Sequence, residues 1–388
     1  MPSRRRVIAG SAGALTTALA GCAGDGADGP SPGDDESTEW PQPGGTGPFH
    51  CYRPDAAAPR TSPSTRWTAE IARPEGRPII ADETVLVSTY PDLVALELAS
   101  GEERWRRWTD EETEPTAPPV VVDGTVYVGT TKPAELVALS IDDGTTAWRA
   151  SLGARPTTAP VVSPEGDRLA IGTAEGVTGI TRAGEVDWTR ETFSTVSALV
   201  TRTGRLYVGT RGGELRLYGS TLRNPKGRWE RQLDGEVDQI AALRGEGVVA
   251  SVRRGSVSRH DGGAAGAARW TQDTSRLQGF VLADDVYATG DALTAIDASD
   301  GETAWSVGDD LFAPVAGAGD TIYTGGPGFV AAYAMGGGAG VGEYRVGSER
   351  WREPVGQGTV NAGISVADGA VFAVTSEHSG TSRLHVLE

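Results

Sequence analysis

Apolar positions in this chain fall into short alternating runs and form no helical stripe. From about residue 78 onward, small and β-branched residues alternate, break at Asp-Gly or Gly-Asp, alternate again, and turn at a further Gly before a Trp. Period-two alternation marks half-buried strands, and Asp-Gly between two such runs marks a tight hairpin. One clear copy runs from Ala117 to Trp148 as APPVVVDGTVYVGTTKPAELVALSIDDGTTAW; another opens at Ala313 as APVAGAGDTIYTGG. Each copy predicts a meander of four antiparallel strands.

Eight tryptophans punctuate the pattern. Trp67, Trp105, Trp148, Trp188, Trp229, Trp270, Trp305 and Trp351 are spaced by 38, 43, 40, 41, 41, 35 and 46 residues, and a period near forty is that of one propeller blade. Trp40 and Trp108 fall outside it. Inner strands are expected near Pro78–Ala81, Pro118–Val122, Pro160–Ser163, Ala198–Thr201, Ala241–Leu243, Gly279–Leu282 and Pro314–Ala316. An eighth unit starts at Asn361 and reaches Glu388 without a Trp, whereas Trp67 has no inner strands before it. The expected fold is therefore all-β, an eight-bladed β-propeller of four-stranded antiparallel blades over 64–388, its ring closed by the N- and C-terminal strands. A Trp at a fixed place in every repeat is read as a blade-docking residue, since short repeats bury a core only by stacking on their neighbours.

The unit VYVGT…G…L.AL…GE..W resembles the pyrroloquinoline-quinone (PQQ) type propeller repeat, best at Val126–Thr130, Leu206–Thr210 and Glu302–Trp305. That repeat builds both quinoprotein dehydrogenases and the outer-membrane assembly lipoprotein BamB, so the resemblance is specific for fold and weak for activity. It implies that the Trp of each outer strand docks on the next blade. For the enzymes it also implies a cofactor clamped between a Trp and a disulfide of adjacent cysteines, with calcium held by Glu, Asn and Asp. This chain has no adjacent cysteine pair.

The N-terminus carries a different message. Arg4 and Arg5, within Ser3-Arg4-Arg5-Arg6, form a twin-arginine signature ahead of an apolar run from Val7 to Ala20, too short to span a bilayer, and Leu19-Ala20-Gly21-Cys22 follows. Residues 1–22 are read as a twin-arginine signal peptide with a lipobox, so that Cys22 is lipidated and the protein sits on the outer face of the cytoplasmic membrane. Residues 23–63, rich in Gly, Pro, Asp, Glu and Ser, are expected to be a disordered tether with a span of roughly 35 Å.

Charge narrows the partners. The formal net charge is −17, and removing the signal with its three arginines leaves −20. Such acidity excludes nucleic acid, whose binding begins with phosphate neutralisation. Only Lys132 and Lys226 are lysines, and the acidic, arginine-dominated surface points to a halophilic archaeon.

Catalytic groups are sought where the inner strands begin. The residues just before them are Thr116, Thr158, Ser197, Ile240, Gln278, Phe312 and Asn361, none ionisable; Glu236 and Asp238 are the nearest carboxylates. His50 beside Cys51, with His260, His378 and His385 remote, lacks zinc spacing. The expectation is a monomer that is not an enzyme, without cofactor or metal, acting as a tethered scaffold for an unidentified protein partner. The segments around Arg253, Arg254 and Arg259 up to Ala268, and from Met335 to Trp351, are the candidate partner faces. The alternative is a PQQ-dependent quinoprotein dehydrogenase or a propeller that binds a small ligand. With this charge, the thermal midpoint of the mature protein should rise steeply from dilute buffer to molar sodium chloride, where the Debye length falls to about 3 Å; a midpoint independent of salt in a thermal melt would remove the halophilic reading.

Overall fold

The computed structural model describes residues 39–45, 49–108, 113–219, 222–243, 247–263, 265–274, 276–308, 311, 313–341, 344–346, 348–377 and 380–388. Among them the regular structure is strand, in seven hydrogen-bonded sheets taken here in chain order. The third, fourth and fifth have four strands each and simple meander order, as in Val196–Arg202, Arg205–Thr210, Glu214–Gly219 and Lys226–Gln232. Hairpin turns explain the alternation: Asp123 and Gly124 (φ 47° and 70°), like Asp368 and Gly369 (φ 47° and 71°), place two left-handed residues in succession, the twist that a two-residue antiparallel hairpin requires.

The expected set of eight separate four-stranded blades closed into a ring is corrected in three ways. First, hydrogen bonding gives seven sheets. The first and second have five strands and the sixth has six, because Ala339–Val341 and Tyr344–Val346 extend it through a parallel pair, Ser306 with Tyr344. Second, the last two repeats run together in one seven-stranded mixed sheet. Thr321–Ala334 and Glu349–Ala367 pass from one strand position to the next without leaving the sheet, with register shifts at Pro327/Phe329 and Val360/Ile364. Gly325–Gly328 and Gly356–Gly363 supply no Asp-Gly reversal there, and the positive φ of Gly328, Gly356 and Gly363 (78°, 91° and 95°) kinks the strands without ending them. Third, no sheet closes on itself. The seven-stranded sheet ends at Tyr52–Arg53 on one side and at Thr65–Ile71 on the other. Thr65–Ile71, which carries Trp67, pairs antiparallel with Ser382–Leu387.

The tether boundary is corrected as well. Residues 39–45 and 49–53 are packed into the fold, because Trp40 and Cys51 are fully buried and Tyr52–Arg53 pairs in parallel with Ala316–Ala318, whereas 54–63 run along the surface, exposed or half-buried. The signal peptide, Arg4, Arg5 and Cys22 lie outside the described residues.

Neighbouring sheets are stitched at two radii. Near the centre, side chains of one sheet bond the inner strand of the next: Ser88 to Ala117 O, Thr157 to Val196 O, Ser197 to Val237 O, Gln239 to Phe280 O, Thr289 to Ala313 O, and Ser365 of the seventh sheet to Pro78 O of the first. Near the rim, each indole lies on the turn of the next repeat. The indole N–H donates from Trp67 to Leu98 O, Trp105 to Ile141 O, Trp148 to Arg182 O, Trp188 to Leu222 O, Trp270 to Ala298 O and Trp305 to Met335 O. Trp351 reaches Pro59 O instead, because the turn it meets is interrupted by the termini between Glu388 and Ser64. A tyrosine of the same repeat tilts against four of these rings, as Tyr127 does against Trp148 at 5.8 Å between centroids.

The turns must be glycine where a ring covers them. At Gly144 (φ 69°) an added Cβ would lie 2.8 Å from the Trp105 ring, whereas at Gly124 (φ 70°) it would meet nothing within 4 Å. Gly124→Ala should therefore cost only the left-handed backbone penalty, about 1–2 kcal/mol. Gly144→Ala should cost a further 1–3 kcal/mol or so because the ring is displaced. Equal losses in urea denaturation would show that the indole contact does not hold the sheets together.

Candidate ligand-binding cavity

The centre of the molecule is occupied by its own N-terminal segment. Trp40 exchanges both backbone hydrogen bonds with Ile80 of the first sheet, and Pro41 O accepts from Val121 N of the second. Phe49 lies beside Val161 and Val162 of the third sheet and Val200 of the fourth. His50 bonds Ala242 O of the fifth through Nε2 (2.6 Å) and accepts from Leu282 N of the sixth; Cys51 O accepts from Gly317 N of the seventh. Residues 39–45 and 49–53 thus touch the inner strand of every sheet. Arg77, donating to Ile364 O, lies over the Trp40 ring at 5.9 Å.

This segment separates two cavities. One, about 390 Å³, is walled by Val120, Val121, Val161, Val162 and Val200 on the side of the first hairpin turns. The other, about 500 Å³, opens at the opposite mouth, where the inner strands begin. Gln42 and Phe49 line both. The mouth cavity has polar walls: hydroxyls of Thr116, Thr157, Thr158 and Ser197 come from three successive sheets, with Gln239, Glu236, Asp238, Arg211 and Arg253 opposite. Thr157 and Ser197 spend their hydrogens on backbone carbonyls, which leaves their oxygens free to accept from a ligand.

Charges in the mouth cavity are paired unequally. Glu236 is held between Arg211 (3.5 Å) and Arg253 (3.3 Å), while Asp238 has only Arg253 at 4.0 Å. Burial pushes the Asp238 carboxyl above its ordinary range; Arg253 opposes the shift and Glu236 adds to it. A carboxyl poised in this way in a cavity can hold or release a proton. Cys51, beside Gln239 Nε2 at 3.7 Å, has its thiol pushed up by burial, an effect that Arg77 opposes.

Of the residues expected at the inner-strand starts, the structure brings together Thr116, Thr158, Ser197 and Ile240, along with Glu236 and Asp238. Gln278 instead donates to Arg276 O, and Asn361 accepts from Ser376 Oγ in a separate hollow; Phe312 and His378 lie outside the described residues. His50, His260 and His385 are spent on Ala242 O, Ser258 and Thr375. Among the described residues no three His, Cys, Asp or Glu side chains converge for a metal. Sequence reasoning missed Trp40, Gln42 and Phe49. The signal was present, since WPQPGGTGPFHCYRP is too rich in aromatic residues for a solvated tether.

A family model described as outer membrane protein assembly factor BamB matches residues 56–212 and 223–383. No curated protein matches the chain in sequence. Among solved structures, BamB from Moraxella catarrhalis superposes with a TM-score of 0.64 at 15% identity, covering 83% of this chain and 99% of that one. Quinohemoprotein alcohol dehydrogenase from Comamonas testosteroni gives 0.69 at 13% identity, covering 90% and 80%. The corresponding enzyme from Pseudomonas putida HK5 gives 0.65 at 12%, also covering 90% and 80%. At these identities the likeness is one of fold. It nevertheless overturns the expectation that the chain is not an enzyme, because the similar structures include alcohol dehydrogenases as well as a BamB. The reason for that expectation also fails: the inner-strand starts lack ionisable groups, yet Glu236 and Asp238 face the same cavity.

Asp238 offers a pH test. A carboxyl raised in the folded state gives its full stability below the unfolded value and loses it as pH rises through the folded one. Asp238→Asn should therefore melt above wild type at pH 7, with the two midpoints converging below about pH 4; a difference that persists in acid would place the effect elsewhere.

Proposed function

Because the chain belongs to the BamB family of PQQ-type repeats, we propose that it is a propeller-like protein whose mouth cavity binds a small, hydroxyl-bearing polar ligand. The observation that carries this reading is the mouth cavity itself, about 500 Å³, with an aromatic floor at Phe49 and hydroxyl, amide, carboxylate and guanidinium groups around it. Ligand pockets pair apolar area with a few convergent polar groups. The oxygens of Thr157 and Ser197 can accept from a ligand hydroxyl, Arg211 and Arg253 can donate, and Asp238 can exchange a proton with it. Alcohols are the substrates named for two of the similar structures, which agrees with such a ligand.

The quinone of those enzymes does not fit this chain. Trp40, Phe49 and Cys51 fill the central space among the inner strands, the chain has no adjacent cysteine pair, and the described residues offer no metal cluster beside it.

Location is part of the proposal. The twin arginines and the lipobox support export and anchoring through a lipid on Cys22 at the outer face of the cytoplasmic membrane, and the acid-rich composition supports a salt-rich habitat. No helix among the described residues is long and apolar enough to cross a membrane. One observation favours a protein partner as a second reading: Phe193, 92% exposed, stands beside Arg216 in the connection leading to Ser197 at the mouth.

Titration of the mature protein with methanol, glycerol, glucose and trehalose, followed by calorimetry and thermal shift, tests the first reading. At a hundredfold excess over Kd, a bound ligand should stabilise the fold by about 2.7 kcal/mol. Phe49→Ala and Glu236→Gln should each weaken binding tenfold or more. A panel without a saturable binder would overturn the reading.

A further inference from the structure

We propose that residues 39–45 and 49–53 form a detachable plug: they leave the central space while the sheets stay folded, and their departure joins the two cavities into one passage. The closed form presents two cups; the open form admits a molecule from either mouth. The proposal does not rest on the identity of any ligand.

Four observations carry it. Gln42 and Phe49 are the residues common to the facing walls of both cavities, together with Val161, so withdrawing the segment removes the partition. The segment's one strand, Tyr52–Arg53, is the parallel edge of the seventh sheet, so its release removes an edge there and interrupts no ladder within the other sheets. Ile80, Val121, Leu282 and Gly317, which it bonds, each belong to an inner strand already paired with the next strand of its own sheet. Every one of those sheets also keeps its indole contact at the rim. Such a segment can open sub-globally, at a cost below that of unfolding the whole.

The segment also buries polar groups poorly. The Trp40 indole N–H has no hydrogen-bond partner among the described residues, and Arg77, only 9% exposed, is covered by the Trp40 ring. Hydration of these groups on release offsets part of the apolar burial that Trp40, Phe49 and Cys51 lose. Finally, Phe49 (φ 62°) and Cys51 (φ 53°) are held in the left-handed region, where a side chain with a Cβ is strained; release removes that strain.

Cys51 reports the movement, because it is a fully buried residue of the plug itself and is the sole thiol once Cys22 is replaced. The full mature chain carrying Cys22→Ser is treated with N-ethylmaleimide across sub-denaturing urea, and the rate of modification is compared with the unfolding rate from tryptophan fluorescence. The expected result is modification at least tenfold faster than unfolding, with a shallower dependence on urea. Trp40→Ala should accelerate it about tenfold further. Ile180→Ala, fully buried in strand Gly176–Thr181 of the third sheet and in a core cluster that holds no residue of the plug, should speed unfolding and leave modification of Cys51 nearly unchanged. Modification at the unfolding rate, with the same urea dependence and with Ile180→Ala accelerating both alike, would overturn the proposal, and that comparison decides the matter even if Trp40→Ala fails to fold.

Discussion

The indole ring that each repeat sends onto the turn of the next is the contact on which the remaining structure depends. A single meander has one face it cannot cover alone. The ring covers that face on the neighbour, and in every repeat but that of Trp229 its N–H fixes the distance by donating to one backbone carbonyl, as Trp105 does to Ile141 and Trp188 to Leu222. Glycine follows as a consequence, since only a residue without a Cβ lets the ring approach the turn at positions such as Gly101 and Gly144. With the outer radius fixed in this way, the inner strands converge and their starts form a mouth. The cavity there is a product of stacking, and the residues facing it are free to vary in kind without disturbing the stack.

Much of this was legible in the sequence because the signals are local and repeated. Asp-Gly between alternating runs gave the hairpins, and the spacing of the tryptophans gave the repeats. Blade separation was less legible. Where Gly325–Gly328 and Gly356–Gly363 replace an Asp-Gly turn, nothing in the alternation says whether the chain reverses or runs on, and it runs on, merging two repeats into one sheet. At the mouth, Thr116, Thr158 and Ser197 could be placed by counting from the inner strands. Their meeting with Arg211, Glu236 and Asp238 could not, because it depends on how far neighbouring sheets fan apart.

The central segment is the part that composition hid. Gly and Pro dominate residues 23–63 on average, but an average conceals the cluster of Trp40, Phe49, Cys51 and Tyr52 within it. Those side chains find partners only at the convergence of seven inner strands, a place that does not exist until the sheets have assembled. The segment therefore fills the convergence of the inner strands, and the mouth cavity is the space left over. A shared fold here fixes the position of a site and leaves its contents open.

The strand Thr65–Ile71 has one more consequence. Its partner Ser382–Leu387 lies more than three hundred residues away in sequence, and closing such a loop costs about 5 kcal/mol of chain entropy. The first five sheets are built from contiguous stretches and can form as the polypeptide emerges from the ribosome. The seventh cannot, since one of its margins is made early and must wait for the other. Assembly thus has a last stitch, made at the seam between the two ends of the polypeptide. A chain interrupted before residue 382 would carry an open strand margin at Thr65–Ile71, a feature that chaperones and proteases recognise in an unfinished molecule.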